Sequence, residues 1–231
     1  MTSANGKGRA AVVFDCDGLL LDTERLWARG EEQFFARYGK PYGPDEKREL
    51  LGKNGEDLAR SLSSLLDRPA EEGQDLVSEM MEISHREVAE GEANPMPGAA
   101  ELVEALRGRV PIGVATNAPR ELAEISLRKA GLMEAFDVLV GVDEVSLPKP
   151  DPELYLAVCE RLGADPAASV GFEDSPAGTE AARSAGLYVI GVPSHPGVRL
   201  DAADEVVESL GHPTVRALLE ERIGLEGQAA S

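Results

Sequence analysis

The chain has 231 residues and carries 23 Lys and Arg against 42 Asp and Glu, which gives a formal net charge of −19 at pH 7. This excess of acid argues against nucleic-acid binding and against binding to anionic membranes, because both partners are recognised by clustered Lys and Arg. Hydrophobic residues make up 42% of the chain, which is enough for a packed core and too much for a globally disordered protein.

The sequence shows no sign of export or of membrane insertion. No apolar run reaches the ~20 residues that a membrane helix requires, and residues 1–9 lack the apolar stretch of a secretory signal. The cysteines, Cys16 and Cys159, lie far apart in the sequence and do not suggest a disulfide framework. Since no exposed apolar stripe stands out either, we expect a monomer located in the cytoplasm.

The first predicted strand covers an apolar run at residues 10–17, and a long helical segment follows it. That segment contains no strand-like run, and a Pro-rich stretch at 94–98 ends it. Its predicted helices cover residues 23–38, 45–51, 54–66 and 71–90. We therefore predict an all-helical cap domain at residues 21–94, inserted into a core domain formed by residues 1–20 and 95–231.

From about residue 97 onward, short apolar runs alternate with amphipathic segments. Strands are predicted at 110–117, 137–142, 168–174, 187–193 and 204–209. The helices predicted between them, at 119–130, 151–162 and 175–185, have Pro near their starts and Gly just after their ends. This alternation predicts an α/β fold with a doubly wound, Rossmann-like parallel sheet, and such sheets bind ligands at the carboxyl edge.

Two carboxylates leave the first predicted strand together. Asp15 and Asp17 are two residues apart, so that their side chains can point to the same side of the strand, whereas Cys16 points away and is interpreted as core. Buried like charges destabilise a protein unless a cation or a proton compensates them. The pair is therefore difficult to explain by structure alone and indicates a site.

Three further polar groups follow later predicted strands. Thr116 and Asn117 offer a hydroxyl, an amide and backbone N–H groups to an anion, just ahead of a helix. Lys149 stands in a loop before the next helix, and Glu173 with Asp174 forms a second carboxylate pair, which suits a hard cation such as Mg²⁺. Each signal is weak or moderate alone, because Thr-Asn is a common N-cap and a loop lysine is usually solvated.

The order of these groups along the chain predicts that they share one site. Each follows a different parallel strand, so all of them are predicted to meet at one edge of the sheet. Such a set suits phosphoryl transfer, in which a carboxylate attacks phosphorus, Mg²⁺ offsets the repulsion between anions, and Lys and Thr hold the phosphoryl oxygens.

The sequence resembles the haloacid dehalogenase superfamily, in the branch with a helical cap after the first strand. The resemblance covers essentially residues 10–210 and rests on four short motifs in the family's order: Asp-x-Asp-Gly-x-x-x-Asp from Asp15, Thr-Asn from Thr116, Lys-Pro from Lys149, and Glu-Asp from Glu173. It implies that Asp15 is the nucleophile that forms an aspartyl-phosphate. It also implies that Asp17 is the general acid/base, a role that argues for phosphate chemistry over carbon–halogen cleavage.

The same resemblance implies the remaining ligands of the site. Thr116 and Lys149 would hold the phosphate. Mg²⁺ would be bound by Asp174, by Asp15 and by the main-chain oxygen of Asp17, with Glu173 as a direct or water-mediated ligand. The implied enzyme is a phosphatase of a small phosphorylated metabolite.

The string from Asp15 to Trp27 looks like the sugar and sugar-alcohol phosphatases of this branch. The β-phosphoglucomutases share all four motifs and remain the alternative, but they tend to have His where Trp27 stands and a phosphate-gripping Arg where Gly55 stands. Lys53 is a candidate replacement for that cation, so the mutase remains an alternative. A phosphonatase and a catalytically inactive binding protein are further alternatives, although no motif member is missing and no lysine in the cap is convincingly placed for a Schiff base.

The predicted cap offers three candidate substrate contacts, Lys53, Asn54 and Trp27. The Gly and Asn content of residues 52–55 predicts a turn between helices, and the same turn can face the substrate. In that position Lys53 would meet an anionic group, whereas an aromatic residue such as Trp27 is more often a packing residue than a ligand contact.

Overall fold

A computed structural model of the chain describes residues 8–50, 53, 55–195 and 197–225. The chain forms two compact units, one made of Thr23–Glu92 and the other of the residues up to Asp22 and from Ala93 onward. None of the helices that the structure describes is both long enough and apolar enough to cross a membrane.

A parallel sheet forms the centre of the discontinuous unit. Across the described part of the chain, its strand order is β5-β4-β1-β6-β7-β8, and every neighbouring pair runs parallel. A separate antiparallel pair, β2 with β3, lies where the chain leaves this unit and returns to it. The strands are β1 Val12–Phe14, β2 Leu21–Asp22, β3 Asn94–Pro95, β4 Ile112–Ala115, β5 Val138–Val140, β6 Val170–Glu173, β7 Tyr188–Gly191 and β8 Glu205–Val206.

The described residues of the segment Thr23–Glu92 form helices joined by turns and loops, with no strand among them, as the sequence predicts. Its helices enclose a core of their own, to which Phe34, Phe35 and Leu62 contribute fully buried side chains. The bounds are α1 Glu24–Arg37, α2 Pro44–Leu50, α3 Gly55–Leu65 and α4 Gly73–Glu90.

Both faces of the sheet are packed. Alternate residues of each strand point to opposite sides, so each strand contributes to the core on both faces. Val12 and Phe14 of β1 pack into one core cluster and Val13 into another. The rings of Phe14 and Phe172 stack with centroids 5.0 Å apart across β1 and β6. The doubly wound α/β fold predicted from the sequence is thus confirmed. The helices of this unit are α5 Ala99–Leu106, α6 Arg120–Lys129, α7 Glu153–Leu162, α8 Pro176–Ser184 and α9 Pro213–Ile223.

Candidate active site

The polar residues expected at the sheet edge follow strands that lie next to one another. Asp15 comes directly after β1, and its N–H donates to the Phe172 carbonyl of β6 at 3.0 Å. Thr116 follows β4, and its N–H donates to Val140 of β5 at 3.1 Å. Glu173 ends β6. Because these strands are parallel neighbours, their ends place the side chains at one edge of the sheet.

Lys149 joins the carboxylates of two strands. Its ammonium donates to Asp15 Oδ1 at 2.5 Å, to Glu173 Oε1 at 2.5 Å and to the Ala115 carbonyl at 2.9 Å, so its three hydrogens all have acceptors. The side chain of Lys149 is only 3% exposed. Burial alone would lower the pKa of Lys149, but the two carboxylates outweigh burial and raise this pKa. The ammonium therefore stays charged at the centre of the site.

The Glu173 carboxylate is fully buried and held on both of its oxygens. Oε1 accepts from Lys149 and from the Tyr155 hydroxyl at 2.8 Å. Oε2 accepts from the N–H of Asp174 at 3.1 Å and from the Ser175 hydroxyl at 3.1 Å. Burial, followed by the charge of Glu173, raises the pKa of Tyr155, so that this hydroxyl keeps its proton and acts as a donor.

The first turn of α8 packs closely against the Glu173 carboxylate. Ser175 caps the helix by accepting from the Gly178 N–H at 3.1 Å, as its Ser-Pro sequence predicts. At Gly178 a Cβ atom would lie 1.9 Å from Glu173 Oε1, a separation that no side chain tolerates. Gly178 is therefore required for the close approach of the helix to Glu173.

Replacement of Gly178 by alanine is expected to displace either the Glu173 carboxylate or α8. We expect the free energy of unfolding to fall by about 1–3 kcal/mol, which is the usual cost of an overpacked core, and any catalytic rate measured for this site to fall at least tenfold. Glu180→Ala, at an exposed position of the same helix, is the matched control. Urea unfolding and initial rates measure both effects, and a Gly178→Ala protein as stable and active as this control would contradict the assignment.

Asp174 completes a carboxylate cluster with Asp15 and Glu173. One oxygen from each of the three lies within 4.8 Å of the others, and all three side chains are buried. Burial, followed by the charge of Glu173, raises the pKa of Asp174 to about 7. Burial likewise raises the pKa of Asp15 well above its usual value, although Lys149 opposes the change. Burial thus disfavours the charged forms of both carboxyl groups despite the nearby Lys149 ammonium, and a further cation would stabilise these charged forms.

The backbone next to the cluster approaches it closely. Gly18 has φ +85°, a left-handed conformation that favours glycine, and a Cβ atom there would lie 2.5 Å from Asp174 Oδ2. Asp17, the preceding residue, is partly exposed, and its Oδ2 accepts from the Thr116 hydroxyl at 3.4 Å. Carboxylate oxygens are ligands of Mg²⁺, whereas hydroxyl and ammonium groups donate hydrogen bonds to phosphate oxygens. The residues present therefore fit a divalent cation beside an anion.

Asn117 binds the Lys149 loop through its side chain. Its Oδ1 accepts from the Lys149 N–H at 3.0 Å, and its Nδ2 donates to the Lys149 carbonyl at 3.5 Å. Glu153 of α7 accepts from the N–H groups of Ser146 and Leu147 at 2.9–3.0 Å. These contacts from two helix starts hold the loop that carries Lys149 at the sheet edge.

Two of the three candidate substrate contacts, Lys53 and Trp27, have partners within the helical unit. The Lys53 ammonium donates to Ser61 Oγ at 2.8 Å and to the Glu49 carboxylate. Trp27 packs edge-on against the His85 ring, with centroids 5.5 Å apart. Asn54 lies outside the described residues. Lys53 borders a cavity of about 300 Å³, whose other lining residues are Glu49, Asp57, Arg60, Ser61 and Ser64.

Three residues of the site were not predicted from the sequence as functional: Tyr155, Ser175 and Gly178. Ser175 carried a helix-start signal, and a glycine inside a helical pattern such as Gly178 usually has a packing reason. Tyr155 carried no signal, because it continues the apolar face of α7 and matches the pattern of a core residue.

Comparison with known proteins gives a family and several relatives. The family model described as haloacid dehalogenase-like hydrolase matches residues 12–192. The chain is 36% identical over 188 residues to the phosphorylated carbohydrates phosphatase of Thermotoga maritima, covering 77% of this chain and 82% of that protein. It is 35% identical over 207 residues to the validoxylamine A 7'-phosphate phosphatase of Streptomyces hygroscopicus subsp. limoneus, covering 86% and 92%.

The structural comparison agrees with the sequence comparison. A crystal structure of a mutant CbbY from Rhodobacter sphaeroides in complex with xylulose-(1,5)bisphosphate matches with a TM-score of 0.72 and 29% identity. The match covers 88% of this chain and 95% of CbbY.

Proposed function

Because the chain belongs to the haloacid dehalogenase-like hydrolase family, we propose that it is a Mg²⁺-dependent phosphatase of a small sugar phosphate or sugar-alcohol phosphate. The observation that carries this proposal is the buried contact of Asp15 with the Lys149 ammonium, beside the carboxylates of Glu173 and Asp174. The named phosphatases among the relatives support the reaction class. The family resemblance expected from the four motifs is confirmed by the family match.

In the first step of the proposed reaction, a carboxylate oxygen of Asp15 attacks phosphorus, and the bond from phosphorus to the sugar oxygen breaks. Asp17 donates a proton to the departing oxygen, which leaves as the alcohol. In the second step, Asp17 takes a proton from the water that attacks phosphorus. The bond from phosphorus to the Asp15 oxygen then breaks, which releases inorganic phosphate and restores both carboxyl groups to their starting states.

Thr116, Asn117 and Lys149 would hold the phosphoryl oxygens during both steps. Thr116 and Lys149 would bind through the side-chain hydroxyl and ammonium. The Asn117 side chain is hydrogen-bonded to the Lys149 backbone, so we assign the contribution of this residue to its own main-chain N–H, three residues before α6 begins.

Mg²⁺ would be held by Asp15, Asp174 and Glu173, together with the main-chain oxygen of Asp17. The three carboxylate oxygens within 4.8 Å of one another, and the raised pKa values of Asp15 and Asp174, support this assignment. When bound, the ion would supply the positive charge that offsets repulsion between these carboxylates and the phosphoryl group.

Hydrolysis is favoured over a mutase reaction by the surroundings of Lys53. A mutase must hold a bisphosphate, which requires a second cationic site. Lys53 is bonded to Glu49 and Ser61, and the acids Glu49 and Asp57 balance the cations Lys53 and Arg60 around the adjoining cavity. Both of these cations are paired with acids, Lys53 with Glu49 and Arg60 with Asp57, which weakens the case for a second phosphate there.

The proposal is tested by phosphate release from a panel of sugar, polyol, nucleotide and phosphonate substrates, with Mg²⁺ and with EDTA. We expect metal-dependent release that is strongest for one sugar or polyol phosphate and that EDTA reduces at least a hundredfold, because the carboxylate cluster then lacks its cation. β-Glucose 1-phosphate with glucose 1,6-bisphosphate is included, and glucose 6-phosphate is measured in parallel. Formation of glucose 6-phosphate without matching phosphate release would replace the phosphatase with the mutase.

A further inference from the structure

Tyr155 lies under the candidate site, and the proposed mechanism does not use it. It is the third residue of α7, and its side chain is fully buried. Its hydroxyl donates to Glu173 Oε1 at 2.8 Å, and its ring centroid lies 5.1 Å from the Lys149 ammonium. Tyr155 therefore contacts both Glu173 and Lys149. Lys149 in turn binds Asp15, so Tyr155 is connected to Asp15 through these neighbours.

The hydrogen bond from the Tyr155 hydroxyl restricts rotation of the Glu173 carboxylate. Oε1 accepts from Tyr155 and from Lys149, while Oε2 accepts from the backbone and the hydroxyl at the start of α8. Rotation of this carboxylate would break the contact to Tyr155 and move Oε1 away from the Lys149 ammonium. Packing requires no hydroxyl here, since phenylalanine has the same ring and would fill the same space.

We propose that Tyr155 is a positioning residue that acts through Glu173 to keep the Lys149 ammonium on Asp15. This inference rests on the proposed function for its effect on turnover. The contacts form a chain that starts in the core: the Tyr155 hydroxyl fixes the Glu173 carboxylate, Glu173 fixes the Lys149 ammonium, and this ammonium fixes Asp15.

The test compares Tyr155→Phe with Tyr188→Phe, which removes a tyrosine hydroxyl from β7 in the same unit. For Tyr155→Phe we expect kcat to fall about tenfold or more, as for other hydrogen bonds to charged groups, with the substrate KM changed less than threefold. Tyr188→Phe should keep kcat within twofold of the parent protein. Equal effects of the two substitutions, or an unchanged kcat in Tyr155→Phe, would overturn the proposal.

A double-mutant cycle with Glu173→Gln separates positioning from general destabilisation. If Tyr155 acts through Glu173, Tyr155→Phe should cost less than twofold in kcat once Glu173 is already replaced, because the two effects are coupled. A full additional tenfold loss in that background would overturn the proposal. Circular dichroism melting of every variant shows whether it is folded.

Calorimetric titration with Mg²⁺ alone provides a readout that needs no substrate. We expect Tyr155→Phe to weaken Mg²⁺ binding about threefold or more, since the Glu173 carboxylate beside Asp174 is no longer fixed, and Tyr188→Phe to leave it unchanged. A parent protein that released no phosphate would refute the proposed function, and the calorimetric comparison would still decide whether Tyr155 positions Glu173. Equal Mg²⁺ affinities in the two variants would count against the positioning role.

Discussion

Replacing Asp15 with asparagine should reduce Mg²⁺-dependent phosphate release by at least about a thousandfold, as expected when a nucleophile is lost. The amide has nearly the shape of the carboxylate but lacks its negative charge and its reactivity toward phosphorus. Asparagine also keeps a carbonyl oxygen that can accept from the Lys149 ammonium at this position. The fold should therefore persist while turnover is lost, and phosphate release together with thermal melting measures the two separately.

Asp201→Asn is the control for this experiment. Asp201 is exposed and pairs with Arg199 at 3.1 Å, so the same chemical change there should leave the rate within twofold of the parent. Substantial Mg²⁺-dependent phosphate release by a folded Asp15→Asn protein would remove Asp15 from the role of nucleophile.

Replacing Lys149 with methionine should affect both stability and catalysis. Lys149 is the ammonium between the buried carboxylates of Asp15 and Glu173, and its loss leaves them without that partner. Breaking a buried ion pair in this way lowers the free energy of unfolding by about 3–5 kcal/mol. We also expect phosphate release to fall by at least a hundredfold, because the same ammonium would hold the phosphoryl group.

Urea unfolding without Mg²⁺ and then with saturating Mg²⁺ measures the stability part of this prediction. The cation should stabilise Lys149→Met more than the parent protein, since it supplies charge to carboxylates that have lost their lysine. Lys129→Met, an exposed substitution at the end of α6, is the matched control and should change stability by less than about 0.5 kcal/mol. A Lys149→Met protein as stable as this control would show that the buried contacts do not hold the site together.

Much of the fold could be predicted from the sequence, because parallel strands that are buried on both faces have sequences that are short apolar runs. The runs around Phe14, Val114 and Phe172 all became adjacent strands of the sheet. The short pairing of Leu21 with Pro95 could not be predicted, since a strand of two residues has no periodicity.

The candidate site followed from the same strand ends, but its supporting contacts did not. Lys149, Glu173 and Asp15 were expected to meet because each follows or precedes an element at one sheet edge. The contact of Tyr155 with Glu173 joins residues 18 apart through the core, and an apolar helix face gives no sign of it. The Asn117 side chain was expected to face an anion, whereas the structure places it on the backbone of Lys149, 32 residues further along the chain.

The helical unit shows the same limit of sequence analysis. Lys53 was expected to meet an anionic group because it is a cation in a predicted turn. The structure gives it Glu49 and Ser61 as partners. The pairing with Glu49 is a local contact between residues four apart, which the spacing alone could have indicated. The contact with Ser61 depends on how α3 packs, which a linear pattern does not contain.

The central claim is that a covalent phosphoryl group forms on Asp15, and chemical trapping tests it most directly. The enzyme is mixed with Mg²⁺ and the best substrate of the panel, quenched in the steady state, and treated with borohydride, which reduces an acyl phosphate to the alcohol. Peptide mass spectrometry should then find residue 15 converted from aspartate to homoserine, only when substrate was present and not in Asp15→Asn. Reduction at a different carboxylate, or none at position 15 in an enzyme that turns over, would contradict the account.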